Sequence, residues 1–120
     1  VELEYPGLTY TLAVELPDGT HIGECSLFNI DFMDNSTEIG IIIGEKSYWD
    51  KGLGADAVET FVRHIFDTSG IELILLRTLD WNIRAQKCFL KCGFTVCGDT
   101  TREGYHFLVM ERRRPKSSES

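Results

Sequence analysis

Several things are scarce or missing in this 120-residue sequence, and each absence removes a class of protein. No apolar run reaches the roughly 18–20 residues that would cross a bilayer. The opening Val1-Glu2-Leu3-Glu4 lacks the basic and apolar regions of a signal peptide. A cytoplasmic protein with no membrane partner is therefore expected. Basic residues are few, 12 Lys and Arg against 19 Asp and Glu, for a net charge of −7. That balance argues against nucleic-acid binding and favours a cationic partner. The four cysteines stand at 25, 88, 92 and 97; the spacing Cys88-x3-Cys92-x4-Cys97 is not a zinc pattern, and no histidine lies at ligand distance near it. No metal cofactor is expected, and the thiols read as reduced, mostly buried small hydrophobes. No internal repeat is present. What remains, 42% hydrophobic and 26% charged residues, is one ordinary globular domain.

Along the chain, Thr9–Leu16 alternates as a strand and Pro17-Asp18-Gly19 supplies a hairpin turn. His21–Phe32 reads as the return strand. After Asp34-Asn35-Ser36, the run Glu38-Ile39-Gly40-Ile41-Ile42-Ile43 is apolar on both faces, so it is expected at the centre of a sheet. Its glycine suggests a bulge or a close backbone approach. Beyond the loop Glu45–Lys51 the period changes: Ala55, Val58, Val62, Ile65 and Phe66 form a helical stripe that Ser69-Gly70 ends. Glu72–Thr78 is a second buried strand, parallel to the third because a helix joins them. Asp80 or Asn82 caps a short helix to Lys91, which Gly93 terminates. Phe94–Thr101 and Tyr105–Glu111 close the domain as a hairpin. The domain is thus expected over residues 1–111, with a disordered tail over 112–120.

Chemistry concentrates in Trp49-Asp50-Lys51-Gly52-Leu53-Gly54-Ala55-Asp56-Ala57. Two glycines at a helix start let backbone N–H groups approach an anion, and the helix dipole adds positive potential. A plain glycine-rich turn would have the same composition. Gly52-Leu53-Gly54-Ala55-Asp56-Ala57 also fits G-x-G-x-x-A, but the seven residues Glu45–Lys51 separate it from the strand, which a dinucleotide fingerprint does not allow. A Walker loop is excluded because Lys51 precedes the glycines.

The segment Tyr48–Ala57 resembles the coenzyme A pyrophosphate loop of GNAT acetyltransferases, in particular the RimJ/RimL-like branch, where a Tyr-Trp pair precedes the glycines. Asn82-Ile83-Arg84-Ala85-Gln86-Lys87-Cys88-Phe89-Leu90-Lys91-Cys92-Gly93-Phe94 is similar to the family's second signature, an Asn, a short helix, then Lys-x-Gly-Phe. The likeness runs from about Leu8 to Glu111. It implies an α/β (α+β) fold, a mixed, mostly antiparallel sheet with flanking helices. Its two parallel central strands, Glu38–Gly44 and Glu72–Thr78, splay apart. It further implies acetyl-CoA as cosubstrate, with pantetheine along Ile41, Ile42 and Ile43. The diphosphate would rest on N–H groups of Lys51, Gly52, Leu53, Gly54 and Ala55, with Trp49, Asp50, Asn82 and Phe89 completing the site.

Acetyl transfer to an amine needs a proton acceptor, a polarised thioester carbonyl and a thiolate that can leave. Glu38, fourteen residues before Gly52, stands where some members of the family carry a general base. Asn82 would contact pantetheine or hold a water, or serve simply as a helix cap. A strand N–H near Ile41 would polarise the carbonyl. Phe89 stands where many members carry a tyrosine acid, and Ala85 where some carry a serine, so water would protonate the thiolate. Val1–Pro6 are too few to supply the strand and helices with which the family opens, so the chain reads as a short or N-terminally truncated form. A second copy of the chain would then pair with the exposed edge at Thr9–Leu16. The expected acceptor is a primary amine: a protein N-terminus, a polyamine or an aminosugar. The alternatives are a non-catalytic coenzyme A-binding module and an interaction domain.

Overall fold

The computed structural model describes residues 10–44 and 52–115. The strands are β1 (Tyr10–Glu15), β2 (His21–Asp31), β3 (Ser36–Ile43), β4 (Leu73–Leu79), β5 (Thr95–Arg102) and β6 (Tyr105–Arg113). The helices are α1 (Leu53–Thr68), between β3 and β4, and α2 (Ile83–Lys91), between β4 and β5. One six-stranded sheet has the order β1-β2-β3-β4-β6-β5, and every neighbouring pair is antiparallel except β3 and β4. The architecture is the mixed, mostly antiparallel sheet expected, with β3 and β4 as its parallel centre.

The hairpin between β1 and β2 forms where its residues require. Thr20 N–H donates to Asp18 Oδ1 at 2.9 Å, and Gly19 takes φ 90°, a region that suits a residue without Cβ. Both helices pack on one face of the sheet. Val58, Phe61, Val62, Ile65 and Phe66 of α1 and Ala85 and Phe89 of α2 meet Leu27, Ile39, Ile74, Leu76 and Met110. At roughly 1.5–3 kcal/mol for each large side chain buried, this layer is the main driving force for the fold. Phe89 and Phe94 meet edge to face, with centroids 6.2 Å apart.

The carboxyl-terminal ends of the two helices are closed by side chains from β6 and the residue after it. Arg112 Nη1 donates to Cys92 O at 2.7 Å and to Glu59 Oε1 at 2.9 Å. Arg114 donates to Phe66 O, Ser69 O and Ile71 O, each at 2.7 Å, and pairs with Glu72. The unstructured tail expected from residue 112 therefore does not start there. Arg112 and Arg113 belong to β6, and Arg114 is anchored; the guanidiniums of Arg112 and Arg114 find orphan carbonyls at the helix ends, while Arg113 pairs with Glu111.

Two further expectations are corrected. Gly40 was expected to mark a bulge, yet its register opposite Ser26 is regular, and an added Cβ would make only ordinary contact with Phe28. The irregularity lies on β2, between Phe28 and Asp31. The close approach lies at Gly23, where a Cβ would stand 2.1 Å from Ile42 O. Second, β3 is central but not buried throughout: Ile42 is 71% exposed.

Candidate active site

Ile42 projects from the sheet face opposite the helices, on the stretch of β3 where β3 and β4 part. Their register pairs are Ser36 with Leu73, Thr37 with Ile74 and Glu38 with Leu75, and the pairing ends there although both strands continue. Beyond Glu38, the N–H and C=O groups of β3 that point toward β4 have no ladder partner on that strand, so a main-chain-like ligand could pair with them. The gap is a cleft of about 450 Å³ lined by Ile39–Ile42, Leu76–Leu79, Asn82, Ala85, Phe89 and Phe107. It is mostly apolar, with Arg77, Thr78 and Asn82 as its polar side chains.

Both helices begin at the end of the sheet where the gap opens, because each follows the carboxyl-terminal end of a parallel strand. Their starts differ. Among the described residues no side chain caps α1; its N-cap is Gly52, at φ 79°. The first turn of a helix has no intrahelical acceptors for its N–H groups, and together with the dipole such groups are able to bind an anion. Asp56 in that turn lines a separate groove toward β1. At α2, by contrast, Asn82 Oδ1 accepts from Ala85 N at 3.3 Å.

Glu38 is 8% exposed and lies on the sheet face opposite the helices, the face shared by its register partner Leu75 and, two residues on, Arg77. Arg77 Nη2 stands 3.3 Å from Glu38 Oε1, and Asn29 Nδ2 donates to the same oxygen at 3.0 Å. A buried carboxylate requires such partners, since desolvation otherwise disfavours its charge.

The cysteines offer no nucleophile. Burial pushes the Cys25 thiol up to about 11 and, with Cys92 adding to it, the Cys88 thiol up to about 12. Cys88 packs against the core and is not among the cleft residues. Cys97 is exposed, so the thiols are mostly but not uniformly buried. Among the described residues no three His, Cys, Asp or Glu side chains are grouped to hold a metal, and no helix is long and apolar enough to cross a membrane.

Besides Glu38, the residues singled out in the sequence do not all fall together. Ile41, Ile42, Asn82 and Phe89 line the cleft, and Gly52, Leu53, Gly54 and Ala55 form the start of α1. Ile43 does not join them: it is buried, on the face of Ile39 and Ile41 that meets the helices. Trp49, Asp50 and Lys51 lie outside the described residues. Arg77, Thr78 and Phe107 were missed. The available signal for Arg77 was a charged residue directly after the apolar run Leu73–Leu76, within the same expected strand. Nothing in the sequence paired it with Glu38, because that contact is made across a parallel ladder between distant segments.

The sequence matches the Acetyltransferase (GNAT) domain over residues 2–95, and the chain belongs to that family. No curated protein matches it closely. Among solved structures it is similar to the spermidine N-acetyltransferase of Vibrio cholerae in complex with CoA and spermine. The two share 22% identity with a TM-score of 0.79, covering 88% of this chain and 65% of that one. It is also similar to the aminoglycoside acetyltransferase AAC(6')-Ib in complex with coenzyme A, at 22% identity and a TM-score of 0.78, covering 88% and 66%. The chain thus spans about two thirds of the length of these proteins.

Proposed function

We propose that this chain binds acetyl-CoA in the gap between β3 and β4 and transfers the acetyl group to a primary amine. The observation that carries the reading is the opening of the parallel pair after Glu38 and Leu75, beside an α1 start that has no side-chain cap among the described residues. That arrangement fits the cosubstrate's chemistry. The free strand edge suits the amides of pantetheine, and the N–H groups of Leu53–Ala55 suit a diphosphate. Ile41, Ile42 and Phe89 would flank the pantetheine arm, with Trp49, Asp50 and Lys51 preceding the diphosphate seat. The cosubstrate would supply an acetyl group activated as a thioester.

Glu38 would take a proton from the acceptor's ammonium, leaving a neutral amine to form the new C–N bond as the C–S bond breaks. The newly acylated nitrogen would lose its second proton to water, and water would pass a proton to the leaving thiolate, because Ala85 and Phe89 have none to give. A strand N–H near Ile41 would polarise the carbonyl. Asn82 spends its oxygen on the helix cap, which leaves its Nδ2 group to face the ligand. The net charge of −7 favours cationic acceptors such as polyamines, aminosugars or protein N-termini. The related solved enzymes named for spermidine and for aminoglycosides support that class. The Tyr48-Trp49 pair before the glycines supports placement in the RimJ/RimL-like branch, and the absence of a membrane-spanning helix among the described residues fits the cytoplasm. The edge of β1 would pair with a second copy of the chain.

The test is thiol release from acetyl-CoA with a panel of primary amines. Amine-dependent release above the blank is expected, and silence with every amine sinks the reading. The walls Ala85 and Phe89 favour one alternative, a coenzyme A-binding module without catalysis. It predicts calorimetric binding of acetyl-CoA with no amine-dependent release.

A further inference from the structure

Glu38 lies between two neighbouring strands, and a donor reaches it from each. Resting on the transferase reading above, we propose that Asn29 and Arg77 are positioning residues that hold the Glu38 carboxylate in place to accept the acceptor's proton. Asn29 Nδ2 comes from β2 at 3.0 Å and Arg77 Nη2 from β4 at 3.3 Å, both onto Oε1. A glutamate has three rotatable side-chain bonds; two donors on one oxygen fix its rotation and leave Oε2 as the proton-accepting atom. The apolar residues Phe28 and Leu75 stand opposite Glu38 on its two neighbouring strands and hold the remaining space.

The backbone at Asn29 argues that this contact has a purpose. Asn29 is exposed, yet it takes φ 51°, which L-residues rarely adopt, at the point where the β2–β3 register slips between Phe28 and Asp31. A bulge re-aims a side chain, and here it turns an exposed amide onto a buried carboxylate. Arg77, two residues beyond the last register pair, reaches the same oxygen from the stretch where the strands have parted, and it also lines the cleft. The charged pair is thus set at the root of the gap where the acetyl group would be transferred.

The experiment compares initial rates and melting temperatures of the wild-type chain, Glu38→Gln, Arg77→Met, Asn29→Gly, and each of the last two combined with Glu38→Gln. Arg77→Met should lower kcat about thirtyfold and Asn29→Gly about fivefold, with KM for acetyl-CoA within about twofold and Arg77→Lys recovering part of the loss. In the Glu38→Gln background each should cost less than about twofold more, because the group they position is gone. Asn29→Gly also relieves the left-handed backbone, so it should hold or raise the melting temperature while slowing turnover; a merely structural contact predicts the opposite. Losses that multiply undiminished in the Glu38→Gln background overturn the proposal and leave the transferase reading intact. A Glu38→Gln chain with wild-type turnover overturns it as well. A wild-type chain without turnover overturns both. Should Arg77→Met fail to fold, Asn29→Gly and its double variant decide alone.

Discussion

The two helices lie on one face of the sheet and begin at one end of it, yet they are finished differently. Helix α2 is closed at both ends, by Asn82 at its start and by Arg112 on Cys92 O at its finish. Helix α1 is closed at its finish by Arg114 but starts on Gly52, with no capping side chain among the described residues. A helix built only for stability would be capped like α2, since a side-chain cap contributes about 1 kcal/mol. The uncapped start of α1 forgoes that stabilisation, and its N–H groups are the ones proposed above to seat the diphosphate. On that proposal, stability and binding fall to opposite ends of one helix.

The largest expected effect tests the closed end. Arg114→Met strips its bonds from Phe66 O, Ser69 O and Ile71 O and should lower unfolding free energy by about 3 kcal/mol, read from denaturant midpoints. Acetyl-CoA affinity should change little. The second fills the open end. Gly52→Asp adds a carboxylate at the proposed diphosphate seat; like charges at a separation on the order of 5 Å and an effective dielectric near 20 repel by about 3 kcal/mol, or about a hundredfold in affinity. Aspartate tolerates the left-handed backbone better than most residues, so the fold should persist. Calorimetry giving unchanged affinity would falsify the assignment of α1's start to the coenzyme.

A smaller effect is expected at the capped start. Asn82→Ala should cost about 1 kcal/mol and lower the melting temperature by about 4 °C. If it weakened acetyl-CoA more than Gly52→Asp does, the contrast between the helices would be reversed. The smallest effect concerns Glu59, on α1, which holds the arginine that closes α2. The hydrogen bond from Arg112 keeps the Glu59 carboxyl below its ordinary value of 4.5, against the opposing pull of burial. A depressed carboxylate gives stability that is present above pH 4.5 and is lost as pH falls through the folded-state value. The advantage of wild-type over Glu59→Gln in thermal scans should therefore shrink below pH 4.5. An advantage that persists at pH 2 would contradict the pairing.

Much of the fold was legible because local chemistry and tertiary need agree. Pro17-Asp18-Gly19 marked the first hairpin, the helical stripe from Ala55 to Phe66 marked α1, and a helix between two apolar runs marked the parallel pair. Gly93 was expected to end α2, and it sits just beyond it at φ 87°. The start of β3 was hidden because Ser36 and Thr37 are polar yet buried; the Thr37 hydroxyl donates to Phe28 O at 2.9 Å. The arginines at 112–114 suggest a solvated tail, since nothing local shows the helix-end carbonyls that Arg112 and Arg114 meet. Glu38 and the glycine turn could be picked out by spacing and resemblance. The Asn29 bulge and the Arg77 contact could not, because each depends on strand register across distant segments.

The arginine caps also bear on the order in which the chain can become stable. Synthesis runs from the amino end, so both helices leave the ribosome before the guanidiniums that close them. Strand β6, which carries Arg112 and precedes Arg114, also inserts between β4 and the earlier-made β5. Until it arrives, β4 and β5 have no partner between them and the last carbonyls of α1 and α2 stay with water. The emerging chain therefore holds helices without a finished sheet, and it locks as one cooperative unit only when its last described strand arrives.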